Sequence, residues 1–289
     1  MLGPALLYIG GFVGVPFVLA VLLSFSDATV GDPHIHRLVG LVNYRRAIAQ
    51  PQFWTALGNS LWITFLTLLA LAVLATALSE LLARPFRLKR LVQTLIILPW
   101  AMPVSLAAVA WLWLLDSTFS PLDWLFRRIH LLGPGGWFGP GLHFYYLGRT
   151  GLAIASIVTV NVWRMLPLAT LIVLAGRMSI PRELFDQAQI DGAGFFRVLL
   201  RISIPALMPV LTVALLFAAL MVFGDMATVA LLTRGGPGTA TQVLPYWAFL
   251  QGINGGDLSG GAAVALFMLP VLAGVAIAAL RLAYRSQQS

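Results

Sequence analysis

Long apolar runs without charged residues divide the chain, and each run is long enough to cross a lipid bilayer. A membrane-spanning helix needs about 20 mostly apolar residues. Six runs meet this requirement, and only the fourth of them contains a charged side chain, that of Arg164. The pattern therefore predicts six transmembrane helices, at about residues 2–26, 56–79, 91–115, 152–176, 202–224 and 258–280.

The composition agrees with this pattern. Of the 289 residues, 60% are hydrophobic and 10% are charged, and the mean hydropathy is +0.91. An average soluble domain carries about 25% charged residues, so this composition argues against a soluble enzyme. We predict an all-α membrane protein in which residues 1–289 form a single transmembrane domain.

The first apolar run could also be a cleaved signal peptide. It lacks a basic segment before it, its apolar stretch is longer than that of a usual signal peptide, and no small-x-small cleavage site follows it. We therefore expect residues 2–26 to be a retained membrane anchor.

Lysine and arginine residues are distributed unequally between the loops, and cytoplasmic loops are the ones enriched in them. Segments 80–90, 175–203 and 281–289 hold ten of these residues in 49 positions, whereas the alternate segments hold seven in 96. This asymmetry predicts that both termini lie in the cytoplasm. It also explains the net charge of +8 by membrane sidedness, so we expect no nucleic acid partner.

Several kinds of site are excluded by residue type. The chain has no cysteine, and Lys89 is its only lysine and lies outside any Gly-Lys-Ser/Thr sequence. A P-loop for ATP is therefore absent, and the chain needs another source of energy if it transports a solute. The pair His34 and His36 has no acidic or thiol cluster near it in sequence, so we expect neither a metal site nor a cofactor.

The cytoplasmic loop at 177–203 is the most informative polar segment. Pro181 suits the first turn of a helix, and Asp191-Gly192 is expected to end that helix in a tight turn with positive φ at the glycine. A second, amphipathic helix follows and leads into the fifth span, with apolar side chains at helical spacing. The residues alone leave two interpretations open, a protruding unit that binds a cytoplasmic partner or an ordinary solvated loop. The apolar positions are Phe195, Val198, Leu199 and Ile202.

This loop resembles the EAA loop of permease subunits of ABC importers. The resemblance departs at Asp186-Gln187, where the family has Glu-Ala. Aspartate keeps the negative charge on a shorter side chain, whereas glutamine is larger than the usual alanine. The matching positions are Pro181, Glu183, Leu184, Ala188, Ile190, Asp191, Gly192, Ala193, Ile202 and Pro205.

Further segments resemble the carbohydrate-uptake (MalF/MalG-like) permeases of these importers, and MalF-type subunits in particular. The resemblance implies a type I ABC importer permease fold in the cell membrane. It also implies a second, MalG-like permease, two ABC ATPase subunits and an extracytoplasmic solute-binding protein as partners, and a sugar or polyol as substrate. The similar segments are Gly40–Tyr44, Phe53-Trp54, Leu98–Trp100 with Pro103, Trp163-Arg164 with Pro167, and Leu232–Gly238.

The same resemblance assigns a role to the loop. In the family, the EAA loop forms a coupling helix that sits in a cleft of the ATPase and transmits its movement to the spans. The residues of this chain that would carry the role are Glu183, Leu184, Asp186, Ala188, Asp191 and Gly192.

Polar residues within or beside the spans are the second set of candidates, because ionisable groups in a membrane are expensive and often functional. Arg164 lies near the middle of the fourth predicted span, with Asn161 on the same helical face, and Asp225 follows the fifth. These three residues could line a path for a sugar. Alternatively, Arg164 could bond to a neighbouring span or to a broken helix end near Pro167, and Asp225 could be structural.

Two other functions have weaker support in the sequence. An ion-gradient-driven secondary transporter usually shows ionisable or cation-binding groups within its spans and an internal repeat, and we see neither a repeat nor more than one clear intramembrane charge. A membrane enzyme would have Asp116, Asp123 and His130 as its candidate catalytic residues, but no motif pairs them.

The predicted orientation can be tested by single cysteines, because the chain has none of its own. We expect a cysteine at Gly194 to be protected from an impermeant thiol reagent added to intact cells, and one at Thr239 to react. Labelling at Gly194 from outside would contradict both the orientation and a cytoplasmic coupling loop.

Overall fold

The computed structural model describes residues 3–286, apart from the side chains of residues 5, 6 and 282–286. The regular secondary structure of this part of the chain is helical, with loops between the helices, and there is no β-strand in it beyond one isolated bridge between Ser26 and Leu38. The start of the first predicted span at Leu2 and the chain end at 287–289 lie outside the described residues.

The predicted apolar runs coincide with the long helices. An initial helical segment consists of α1 (Gly3–Ile9), a π-helical turn (Gly10–Gly14) and α2 (Val15–Ser24). Five helices or continuous helical segments of the described residues are long and apolar enough to cross a membrane. The later spans are formed by α4 (Pro51–Ala83), α9 (Thr150–Ser179), α12 (Ile204–Phe223), α15 (Leu258–Leu266) and α16 (Met268–Ser286).

Short helices connect these spans. Those before α9 are α3 (Val42–Ala49), α5 (Lys89–Ile96), α6 (Leu98–Ala101), α7 (Val104–Leu114) and α8 (Pro121–Arg128). Those after it are α10 (Arg182–Ile190), α11 (Phe195–Val198), α13 (Ala227–Leu232) and α14 (Leu244–Phe249), with π-helical turns at Leu199–Ser203 and Leu250–Asn254.

The predicted third span at 91–115 is not one continuous helix. The helical segments Lys89–Ala101 and Val104–Leu114 meet at an angle of 96°. Proline causes this bend, since Pro103 offers no N–H to the preceding turn and forces Met102 before it into an extended conformation. Met102 has φ −72° and ψ 137°.

The centre of the bundle is the packing of α4, α9 and α12. Leu71, Val173 and Leu207 are almost completely buried there. Small side chains such as Ala75 and Ala218 accompany them, and small residues let membrane helices approach closely without a hydrophobic driving force. At the end of this core nearest α10, a Cβ on Gly176 would lie 3.0 Å from the side chain of Val210, so α9 and α12 are in tight contact.

Two smaller clusters join the remaining elements to this core. One packs α3, α14 and α15 around the start of α4, with Phe53, Leu244 and Val264 buried. The other packs α13 and α14 against the middle of α4 and α9, with Ile63, Ile157 and Val229 buried. The outer side of the bundle is apolar as well: large side chains such as Leu7 and Phe12 are exposed, as expected for surfaces that face lipid.

Candidate functional site

The loop at 177–203 folds as a short helix followed by a tight turn. Pro181 precedes α10, and Glu183 lies in its first turn, where the helix dipole favours an acidic side chain. The amide of Ala193 donates to the carbonyl of Ala188, and the amide of Gly192 donates to that of Gln189. These two bonds form a Schellman motif, and the positive φ predicted for Gly192 is confirmed at 67°.

The second predicted helix of the loop also forms, but it does not run smoothly into the fifth span. A π-helical turn at Leu199–Ser203 lies between α11 and α12. Pro205 follows this turn and has no N–H to donate to the carbonyl of Arg201, so regular α-helical bonding is interrupted there.

The six residues predicted for coupling do not share one surface. Glu183 and Leu184 of α10, together with Asp191 directly after the helix, belong to one exposed stripe. Ala188 lies next to Leu184, at the edge of this stripe, and is only 7% exposed, whereas Gly192 forms the turn. Asp186 is exposed at the edge of a cavity between α10 and the end of α4. The exposed stripe is completed by Gln187 and by Ile190, whose exposure is 86%.

Sequence reasoning did not find the residues that attach α10 to the bundle. The guanidinium of Arg177, near the end of α9, lies over the ring of Phe185 with 3.8 Å between its central carbon and the ring centroid. Arg177 Nε also donates to Glu80 Oε1 of α4 at 2.8 Å. The only signal in the sequence was that Glu80 and Arg177 are charged and each lies at the end of a predicted span. They are 97 positions apart, so the sequence did not indicate that they pair.

A cavity of about 1230 Å³ separates α10 and α11 from the ends of α4 and α5. Its walls carry more positive than negative side chains. The ionisable residues that line it are Glu80, Arg84, Lys89, Arg177, Arg182 and Asp186.

The two charged residues among the candidates within or beside the spans, Arg164 and Asp225, form an ion pair with each other. Arg164 Nη2 lies 2.8 Å from Asp225 Oδ2, and both side chains are only 7% exposed. Arg164 Nη2 also donates to Asn161 Oδ1 at 3.3 Å, as their shared helical face predicts. The alternative partner, a broken helix end near Pro167, is wrong because α9 continues through this proline.

Asp225 has a second task at the junction of α12 and α13. Its carboxylate accepts the amides of Ala227 at 3.0 Å and Thr228 at 3.2 Å, together with the hydroxyl of Thr228. It therefore caps the first turn of α13 while it neutralises Arg164. Arg164 Nε is buried and has no hydrogen-bond partner among the described residues.

The catalytic candidates of the membrane-enzyme alternative serve separate structural tasks in the loop at 116–149. Asp116 accepts the amides of Phe119 and Thr118, which hold the pKa of that carboxyl below its ordinary value. Asp123 is completely buried and accepts the hydroxyl of Tyr146 at 2.8 Å. Burial of the Tyr146 hydroxyl, as the larger cause, and its hydrogen bond to Asp123, as the smaller one, raise the pKa of Tyr146 well above its ordinary value. His130 has a left-handed backbone with φ 57°.

No metal site is visible in the part of the chain that the structure describes, since no three His, Asp or Glu side chains group together there. His36 instead contacts Asp32, with 2.8 Å between His36 Nε2 and Asp32 Oδ2.

Relatives of known role are similar over most of the chain. The diacetylchitobiose uptake system permease protein DasB of Streptomyces coelicolor is 26% identical over 281 residues, which cover 96% of this chain and 83% of that protein. The trehalose/maltose transport system permease protein MalF of Thermococcus litoralis is 29% identical over 79% of this chain and 74% of that protein.

The fold has a close counterpart in a solved structure. The crystal structure of a bacterial alginate ABC transporter, in complex with alginate pentasaccharide-bound periplasmic protein, contains a chain that superposes with a TM-score of 0.79. The superposition covers 99% of this chain and 93% of that chain, at 20% sequence identity. The predicted fold class, an all-α membrane protein with the type I ABC importer permease fold, is confirmed.

A family match extends over most of the chain. It covers residues 69–286, a range that includes the α10 loop and both halves of the Arg164–Asp225 pair, and the family is described as "Binding-protein-dependent transport system inner membrane component". The chain therefore belongs to this family of ABC importer permeases, as the resemblance of the loop at 177–203 predicted.

Proposed function

We propose that this chain pairs with a second, MalG-like permease to form the translocation path of an ATP-driven importer. Two ABC ATPase subunits supply the energy, and a solute-binding protein delivers the substrate from outside. The observation that carries the proposal is α10: a rigid, capped helix whose outer face is exposed. The similarity to permeases, rather than to ion-driven carriers, weighs against the alternative of a secondary transporter.

The exposed stripe of α10 is the surface proposed to enter the ATPase. It combines the negative charges of Glu183 and Asp191 with the apolar side chains of Leu184 and Ile190, which are 44% and 86% exposed. Exposed apolar side chains beside charges are typical of a protein interface. Ala188 and Gly192 fix the orientation of this stripe, and Asp186 borders it.

The substrate class is proposed from the relatives. The name of DasB includes the sugar diacetylchitobiose, and the name of the Thermococcus litoralis protein includes trehalose and maltose. A sugar or related polyol is therefore the substrate class that we assign to this chain.

We assign the Arg164–Asp225 pair to the structure of the bundle rather than to the lining of the sugar path. Both side chains are almost completely buried within this one chain. The carboxylate of Asp225 also accepts hydrogen bonds from the first amides of α13. A side chain that binds a passing sugar needs a free, accessible polar group. Asn161, which is 2% exposed, belongs to the same buried arrangement.

The proposed function can be tested by co-expression with the ATPase, second permease and binding protein of the same organism. We expect the purified chain alone neither to bind nor to hydrolyse ATP. The complex should hydrolyse ATP faster when binding protein loaded with diacetylchitobiose, trehalose or maltose is added. Uptake of these sugars by the chain alone, driven by a proton or sodium gradient, would instead establish a secondary transporter.

Gly192→Val tests the coupling helix. No other atom lies within 4 Å of a Cβ built on this glycine, so the cost comes from the left-handed backbone and is on the order of 1 kcal/mol or more for a β-branched residue. We expect ATPase co-purification and sugar uptake to fall steeply while membrane insertion persists. Gly192→Asn is the matched control, because asparagine tolerates this conformation; equal losses in both variants would contradict the turn-based explanation.

Arg164→Met tests the buried ion pair. Removing the cation leaves Asp225 buried without its partner, and losing one member of a buried pair costs about 3–5 kcal/mol. We expect a lower thermal unfolding midpoint for the detergent-purified permease. Arg164→Met combined with Asp225→Asn should recover much of the loss, because asparagine is uncharged and still caps α13. Normal stability with impaired uptake in Arg164→Met would indicate a path-lining residue instead.

A further inference from the structure

The α10 helix has few anchors in the bundle. Of its nine residues, Ala188 is the only buried one, Phe185 is partly buried, and the remaining side chains are exposed. The cavity between α10 and the ends of α4 and α5 shows that packing does not fill the space behind the helix. Any force on α10 must therefore reach the spans through Ala188, through Phe185, or along the backbone.

Phe185 rests on a side chain that is itself fixed in two directions. The flat face of the Arg177 guanidinium lies 3.8 Å from the Phe185 ring centroid, within the range of a cation–π contact. The edge of the same guanidinium donates from Nε to Glu80 Oε1 at 2.8 Å, and the exposures of the Arg177 and Glu80 side chains are only 18% and 11%. One side chain of α9 therefore contacts both α10 and α4.

The backbone that carries Arg177 is held firmly. The preceding residue, Gly176, is buried and allows Val210 of α12 to approach so closely that a Cβ there would lie 3.0 Å from it. On α4, Glu80 follows the fully buried Ser79. Arg177 is therefore attached to the tightly packed end of the core of α4, α9 and α12. Phe185 of α10 packs against its guanidinium.

We propose that Arg177 is a positioning residue that makes α10 and the cytoplasmic ends of α4 and α9 move as one body. The inference rests on the proposed coupling role of α10 and names the contact through which its displacement reaches the spans. Arginine suits this task because its planar group stacks on a ring and donates in its own plane at the same time. Lysine has a compact ammonium group and no planar group that could stack on the ring.

The link can be measured with two spin labels, one on each side of it. Leu81 of α4, which is 59% exposed, and Gln187 on the outer face of α10 are suitable positions, and the chain has no native cysteine. Pulsed dipolar EPR then reports the distance between the labels, in the permease pair without nucleotide and in the ATPase complex trapped with ADP and vanadate.

We expect one narrow distance distribution that is the same in both states. Phe185→Leu keeps an apolar side chain but removes the aromatic ring, and Arg177→Lys keeps the charge but removes the planar guanidinium. Both variants should broaden the distance distribution and reduce the amount of sugar taken up per ATP hydrolysed. Recovery of the ATPase subunits should be unchanged. Phe185→Trp is the matched control and should keep the narrow distribution, because tryptophan provides a stronger aromatic face.

Two results would overturn the proposal. One is a narrow distribution that persists in Phe185→Leu and in Arg177→Lys. The other is a wild-type distance that changes on trapping, since α10 would then move independently of α4. Failure of the wild-type permease to bind its ATPase would refute the proposed function instead, and the comparison of variants without nucleotide would still decide whether the link exists.

Discussion

A charged side chain within a bilayer must find its partner inside the protein, because lipid offers none. Helix α9 carries two arginines that are paired in this way, Arg164 within its predicted span and Arg177 just beyond it, and each is neutralised by an acid from a different element. Arg164 pairs with Asp225 at the junction of α12 and α13, and Arg177 pairs with Glu80 of α4. Glu80 belongs to α4, and Asp225 is held by the amides at the start of α13. The two bonds therefore hold α9 against its neighbours at its middle and in its last turn.

Local features of this fold could be predicted from the sequence, whereas long-range pairings could not. The apolar runs predict where the long helices lie, and Asp191-Gly192 predicts a turn with positive φ, because both signals are contained within a few residues. Arg164 and Asp225 are 61 positions apart, and Arg177 and Glu80 are 97 apart. Nothing in their immediate surroundings indicates a partner, so a single sequence supports only the weaker statement that each charge needs one.

The sharp bend of the third apolar segment illustrates an intermediate case. A hydropathy profile is averaged over about 20 residues and is hardly changed by a single proline. It therefore predicts one span at 91–115. The local rule for a residue that precedes proline was nevertheless available at Met102-Pro103, and it predicts an extended backbone there. Length and composition determine whether a segment can enter the membrane, and backbone chemistry determines whether it crosses as one helix.

The loop at 177–203 combines a stiff helix with few contacts to the bundle. The hydrogen bonds of α10 and its Schellman turn make the helix rigid, whereas its contacts with the bundle reduce to Ala188 and the stacked pair of Phe185 and Arg177. A helix buried deeply among the spans would offer no surface to an ATPase, and a helix without contacts would not transmit its displacement. For the proposed coupling role, a partly exposed stack on a side chain that is itself paired with Glu80 satisfies both requirements, because it leaves the outer face of α10 free and connects the helix to the core of α4, α9 and α12.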